Sequence, residues 1–272
     1  MKDNAACMQN TPDRLPLAGR SERSYRPGLV SVSFRGHSPE EILRAASEAG
    51  LCFIEWGSDV HAPCRNVANL EHIARLQAEY GMSCSSYGTY FWLGRNALDE
   101  LPDYIRAAKI LGTNILRVWG GGKCAENMTE SERNAFIDEC RRAAEIAAAH
   151  GVILCTECHR GTFTERPEDT LALMQAVNSP HFRTYWQPFQ WLDEQGSLAV
   201  ARTIAPYVEH VHVFNWQGAQ KLPLADAADA WRTYLSVLPA PRTLLLEFMP
   251  DDRIETLKAE AKALAAIAAT GG

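Results

Sequence analysis

No stretch of this chain is both long and apolar. Nothing approaches the roughly 20 residues of a membrane-spanning helix, so no membrane partner is expected. The N-terminus also lacks the continuous apolar core of a secretion signal, and the expected location is the cytoplasm. Lysine and arginine never gather into a dense block, and the net charge is −6. A nucleic-acid partner is therefore disfavoured, because phosphate binding needs a basic stripe. No glycine-rich phosphate fingerprint follows the first strand-like run. Gly120-Gly121-Gly122-Lys123 comes after the fourth and lacks the spacing of a phosphate-binding loop. Eight cysteines are present but scattered. The pair in Cys155-Thr156-Glu157-Cys158 has no second ligand pair to complete a zinc ribbon, and the cysteines read as reduced, core-filling thiols.

What is present points to one large α/β domain. At 46% hydrophobic and 22% charged residues, 272 residues are enough for a proper core. From Gly28 onward, short apolar runs alternate with helix-like stretches. The runs are 29–34, 52–55, 83–87, 114–118, 152–157, 183–187, 210–214 and 243–248, rich in Val, Ile, Leu, Phe, Tyr and Cys. Between them lie helix starts such as Ser38-Pro39-Glu40-Glu41 and Thr129-Glu130-Ser131-Glu132. Eight strand/helix units predict a single-domain (β/α)₈ TIM barrel over residues 27–272, with residues 1–26 as an N-terminal extension.

In such a barrel the chemistry sits at the C-terminal ends of the strands. Four consecutive runs carry, at or near their C-terminal ends, residues that could bind a metal: Glu157, Gln187, His212 and Glu247. Two carboxylates, an imidazole and an amide oxygen suit a hard or borderline divalent cation. A single strand-end Glu or His is more often in a salt bridge; four in register are much less easily coincidental. Two glutamates beside a cation also suit proton transfer through an enediolate, one removing the proton and the other returning it.

Around these lie expected substrate contacts. His159 shares strand parity with Glu157. Arg117 could bind substrate or pair with a barrel carboxylate. Glu55 and His61 belong to a dense polar cluster after the second strand. Trp56, Trp92, Trp119, Trp186 and Trp216 all stand at or beyond strand ends. Trp119 and Trp216 are expected to line a sugar site, and two or three of the five to be ordinary packing.

The runs Ile54 to His61, Ser85 to Tyr90, Leu116 to Trp119, His210 to Phe214 and Leu246 to Phe248 resemble the xylose-isomerase-like barrel superfamily, in its sugar phosphate isomerase/epimerase branch. The likeness spans about Gly28 to Ala269. It implies metal ligands Glu157, Gln187, His212 and Glu247, with Glu157 and Glu247 doubling as the acid/base pair. It also implies a divalent cation, Mn²⁺ first, with Co²⁺, Mg²⁺ or Zn²⁺ as substitutes. The departure is at Gln187, where the family carries Asp. The expected activity is isomerisation or epimerisation of a small ketose, keto-sugar or cyclitol. A lyase or dehydratase acting on a keto-sugar is the second reading, and a non-catalytic sugar-binding barrel the third. The partner is a small carbohydrate, with a homo-oligomer possible.

Overall fold

Each strand of the barrel pairs in parallel with its neighbours in the chain, and the first pairs with the last. The strands are β1 (Arg26–Val30), β2 (Phe53–Gly57), β3 (Ser83–Trp92), β4 (Ile115–Trp119), β5 (Ile153–Thr156), β6 (Phe182–Trp186), β7 (Val208–Val213) and β8 (Thr243–Leu246). The computed structural model describes residues 25–238 and 242–270. Outside run α1 (Pro39–Glu48), α2 (Val67–Glu79), α3 (Leu101–Leu111), α4 (Glu130–Ala149), α5 (Pro167–Val177), α6 (Glu194–Ile204), α7 (Ala228–Leu235) and α8 (Leu257–Thr270). This is the TIM barrel that the alternation predicts. Among the described residues no helix is long and apolar enough to cross a membrane.

Period-two alternation divides the core in two. Val30, Ile115, Ile153, Cys155, Tyr185 and Leu245 fill the lumen. Their strand neighbours Leu29, Leu116, Leu154, Trp186 and Leu244 pack outward against the helices. The CxxC is split accordingly: Cys155 joins the lumen cluster and Cys158 the outer one. Both are free thiols, and burial pushes that of Cys158 up to about 11.

Helix starts follow the capping logic. The Thr129 hydroxyl accepts from the Glu132 amide (3.2 Å), and the Glu132 carboxylate accepts from the Thr129 amide (2.6 Å). Thr129→Ala should cost about 1 kcal/mol and lower Tm by about 2–4 °C. A thermal melt checks this, and an unshifted Tm would show that the cap contributes nothing.

Most strand ends fall within a few residues of expectation, and three features differ more. β1 is Arg26–Val30 rather than 29–34, and Ser31–Phe34 is a 3₁₀ turn. The apolar run continues there, but side chains take over from the ladder. The Ser31 hydroxyl accepts from the Gly57 amide (2.9 Å) and that of Ser33 from the Phe248 amide (2.9 Å). β3 runs on to Trp92, with register irregularities that keep it paired to both neighbours. A short hairpin, Trp216–Gln217 with Gln220–Lys221, follows β7 and had no counterpart in the sequence reading. Of the expected extension over 1–26, residues 1–24 lie outside the described residues, and Arg26 already opens β1.

Candidate active site

Glu157, Gln187 and Glu247 each stand one residue past the end of β5, β6 and β8, and His212 is next to last in β7. The ladder carries Glu247 into place, its amide donating to the Val213 carbonyl (3.0 Å). Phe248 then turns the chain with φ +58, a left-handed conformation rare for a bulky residue. Strain of this kind persists where surrounding structure holds it; here the Ser33 hydroxyl fixes the Phe248 amide.

Three of the side chains converge on one atom of the fourth. Nδ1 of His212 lies 3.1 Å from Gln187 Oε1, 3.4 Å from Glu247 Oε2 and 3.7 Å from Glu157 Oε1. His212 is wholly buried, and Glu157 and Glu247 are 5% and 7% exposed. Glu157, His212 and Glu247 form a donor cluster of the kind that holds a cation. A divalent cation would take its oxygen and nitrogen donors from such a cluster. The amide of Gln187 is itself fixed, its nitrogen donating to the Cys158 carbonyl (3.3 Å).

The two carboxylates differ electrostatically. Burial alone would raise Glu157, but Arg117 and His212 override it and hold the carboxyl below its ordinary range. Burial raises Glu247, and the neighbouring Glu157 adds to that against the pull of His212. Burial disfavours a charged His212, yet Glu247, Glu157 and Glu55 raise it to about 10.

Arg117 realises the second of its two expected alternatives. Its Nε donates to Glu55 Oε1 (2.8 Å) and its Nη1 to Glu157 Oε2 (2.6 Å). Glu55 and His61 were expected at the substrate, but protein groups already occupy them. Glu55 is 0% exposed, and its second oxygen accepts from the Ser86 hydroxyl (2.8 Å). His61 sits between the Ser31 hydroxyl and the His37 carbonyl, each at 3.2 Å. Ser86 and Gly88 lie in the run Ser85 to Tyr90 that carries the resemblance, but no site role was expected of them. Their signal is the small residues of Ser83-Cys84-Ser85-Ser86, with Gly88 just beyond, on a strand that ends in Tyr90-Phe91-Trp92.

Of the five tryptophans, two are packing. Trp56 is fully buried and donates to Gln77 of α2 (3.1 Å), and Trp186 packs on Trp231 and Tyr234. The other three are half-buried at the rim. Trp119 stacks on Trp92 (4.6 Å between ring centres) and meets the edge of His159 (4.8 Å). Trp216 packs against Phe248 (5.5 Å). Two aromatic walls therefore rise from the ends of β3–β4 and β7–β8.

A family model described as xylose isomerase-like TIM barrel matches residues 43–266. A curated 3-dehydroshikimate dehydratase from Bacillus anthracis is 27% identical over 207 residues, 71% of this chain and 73% of that protein. The solved structure of the probable 3-DHS dehydratase involved in petrobactin synthesis, also from Bacillus anthracis, matches with TM-score 0.74 at 19% identity. It covers 88% of this chain and 98% of its own. D-psicose 3-epimerase from Clostridium cellulolyticum H10 matches with TM-score 0.68 at 12% identity, covering 90% and 99%. At these identities the two solved structures speak to the fold.

Proposed function

Because the chain belongs to the xylose isomerase-like TIM barrel family, we propose that it is a metal-dependent lyase that removes water from a cyclic hydroxy-ketone. The observation that carries this is the convergence of Glu157, Gln187 and Glu247 on Nδ1 of His212. The likeness to a dehydratase across 71% of the chain favours elimination over epimerisation. That reverses the order in which the sequence ranked the two. Epimerisation of a ketose is the second reading, supported by the epimerase among the structural neighbours.

Glu157, Gln187, His212 and Glu247 would hold the cation. The two carboxylates balance its charge, and Mn²⁺ suits this oxygen-rich set with one nitrogen. When bound, a divalent cation supplies charge stabilisation for an oxyanion developing on the substrate. The protein's own groups move the protons. One carboxylate of the Glu157–Glu247 pair removes the proton beside the ketone. A proton returned from the pair leaves with the β-hydroxyl as water, and a carbon–carbon double bond forms. Glu247, raised by burial and outside the two hydrogen bonds that Arg117 makes to Glu55 and Glu157, is the better proton carrier. Glu157, with one oxygen tied to Arg117, is the better fixed anion. The Trp119 and Trp216 walls would flank the ring of the substrate, with His159 at the edge of Trp119.

Mn²⁺-loaded protein offered 3-dehydroshikimate and D-psicose in parallel tests the reading. Ultraviolet absorbance from a new double bond supports the lyase. An epimer without absorbance supports the second reading. No product and no solvent-deuterium exchange on either compound leaves a sugar-binding barrel.

Metal affinity should also depend on pH. With His212 raised to about 10, its imidazole is protonated in the metal-free site, and a cation taking Nδ1 must displace that proton. One proton released means affinity rising with pH, by about tenfold per unit below the raised value. Calorimetric titration with Mn²⁺ at pH 6, 7 and 8 measures it. A flat profile would remove His212 from the donor set.

A further inference from the structure

We propose that Glu55 is a positioning residue that sets two of the four donors, Glu157 and His212, from a single buried carboxylate. The inference rests on the metal-dependent reading above.

Glu55 lies in β2, across the lumen from the site's own strands, with no exposed surface. Its Oε1 accepts from Nε of Arg117 at 2.8 Å and faces Nε2 of His212 at 3.7 Å. Its Oε2 accepts from the Ser86 hydroxyl at 2.8 Å. Each contact has a consequence at the site. Arg117, fixed by Glu55 at one edge, uses Nη1 to take Glu157 Oε2, which leaves Glu157 Oε1 as the oxygen facing His212 Nδ1. Glu157 is thereby set to present one oxygen rather than two. The carboxylate opposite His212 Nε2, an atom with no hydrogen-bond partner among the described residues, favours the tautomer with its proton there. Once a cation displaces the Nδ1 proton, the lone pair would lie on the atom that three oxygens surround.

The barrel interior is cut to fit this pair. A Cβ at Gly88 would fall 2.7 Å from Glu55 Oε1 and 2.8 Å from Arg117 Nη2. A side chain at 88 would push apart the two groups whose alignment the site uses. A simple ion pair between Glu55 and Arg117 would account for the burial of both. It would not place an oxygen of that same carboxylate before His212 Nε2.

The test compares Mn²⁺ affinity in the wild-type protein, Glu55→Gln, Ser86→Ala and Glu247→Gln. Glu55→Gln keeps size and an acceptor but removes the charge, and should bind Mn²⁺ about 10–100-fold more weakly. In the Zn²⁺-loaded protein, long-range ¹H–¹⁵N spectra should show a deshielded His212 Nε2 proton that moves upfield in Glu55→Gln. A purely structural role would not move that resonance. Ser86→Ala frees one Glu55 oxygen without touching its charge and should shift both readouts the same way by less. It decides the matter if Glu55→Gln does not fold. Wild-type affinity with an unmoved His212 proton in the folded variants overturns the proposal. If Glu247→Gln loses Mn²⁺ while Glu55→Gln keeps it, the inference fails and the metal-dependent reading stands. Wild-type protein that binds no Mn²⁺ overturns both.

Discussion

Glu247→Gln in the Mn²⁺-loaded protein should lower turnover by about 10²–10⁴-fold, a barrier increase of about 3–5 kcal/mol. The substitution keeps the shape of a buried side chain and removes its capacity to carry a proton. It also removes one of two charges that would hold the cation, which saturating metal offsets; the part of the loss due to the missing proton carrier should persist when metal is saturating. Stability should respond in the opposite sense. Glu247 is buried beside another carboxylate, and both effects penalise its ionised form. A neutral amide relieves that penalty in the metal-free protein, so Tm should hold or rise. Glu157→Gln separates the two properties. It should lose turnover similarly but also lose stability, because Arg117 forfeits its 2.6 Å partner. Rates on the substrate panel and thermal melts of both variants check this. Turnover within twofold of wild type in either would sink the acid/base assignment.

The elements that sequence exposed are those governed by local rules. The Thr129–Glu132 and Ser38–Glu41 caps, and strands rich in β-branched and aromatic residues, are properties of neighbours in the chain. Glu157, Gln187, His212 and Glu247 were legible because a barrel turns position along the chain into position in space: strand ends share one rim. What stayed hidden depends on closure. Arg117 lies in β4, yet its partners come from β2 and β5, and nothing local to Leu116-Arg117-Val118 chooses between substrate and carboxylate. Parity offered a signal for the tryptophans. Glu55 and Trp56 are adjacent in β2 and cannot both face the lumen, so a Glu55 in the interior sends Trp56 to Gln77 of α2. The left-handed turn at Phe248 had no sequence signal, since Gly and Asn mark such positions and Phe does not.

Arg117→Leu should be the most destabilising change at the site, by about 3–5 kcal/mol near neutral pH, or about 6–20 °C in Tm. It strands two buried carboxylates, Glu55 and Glu157, that share one guanidinium at 2.8 and 2.6 Å. The exposed pair Arg35–Asp59 supplies the control. Arg35 is 41% exposed, and Arg35→Leu should cost no more than about 1 kcal/mol. The pH dependence gives the sharper test. In the wild-type protein burial opposes ionisation of Glu55, but Arg117 and His212 hold its carboxyl well below the ordinary range. A carboxyl lowered on folding contributes stability above its unfolded value, and that contribution is lost as pH falls through the folded value. Without Arg117 the balance tips towards burial, and the carboxyls rise. Protonation then favours the folded state, and the variant should gain stability relative to wild type as pH falls. The gap in Tm should therefore be widest at pH 7–8 and narrow towards pH 4.5. Melts across that range measure it; a gap that stays constant with pH would mean that lost packing, not stranded charge, sets the cost.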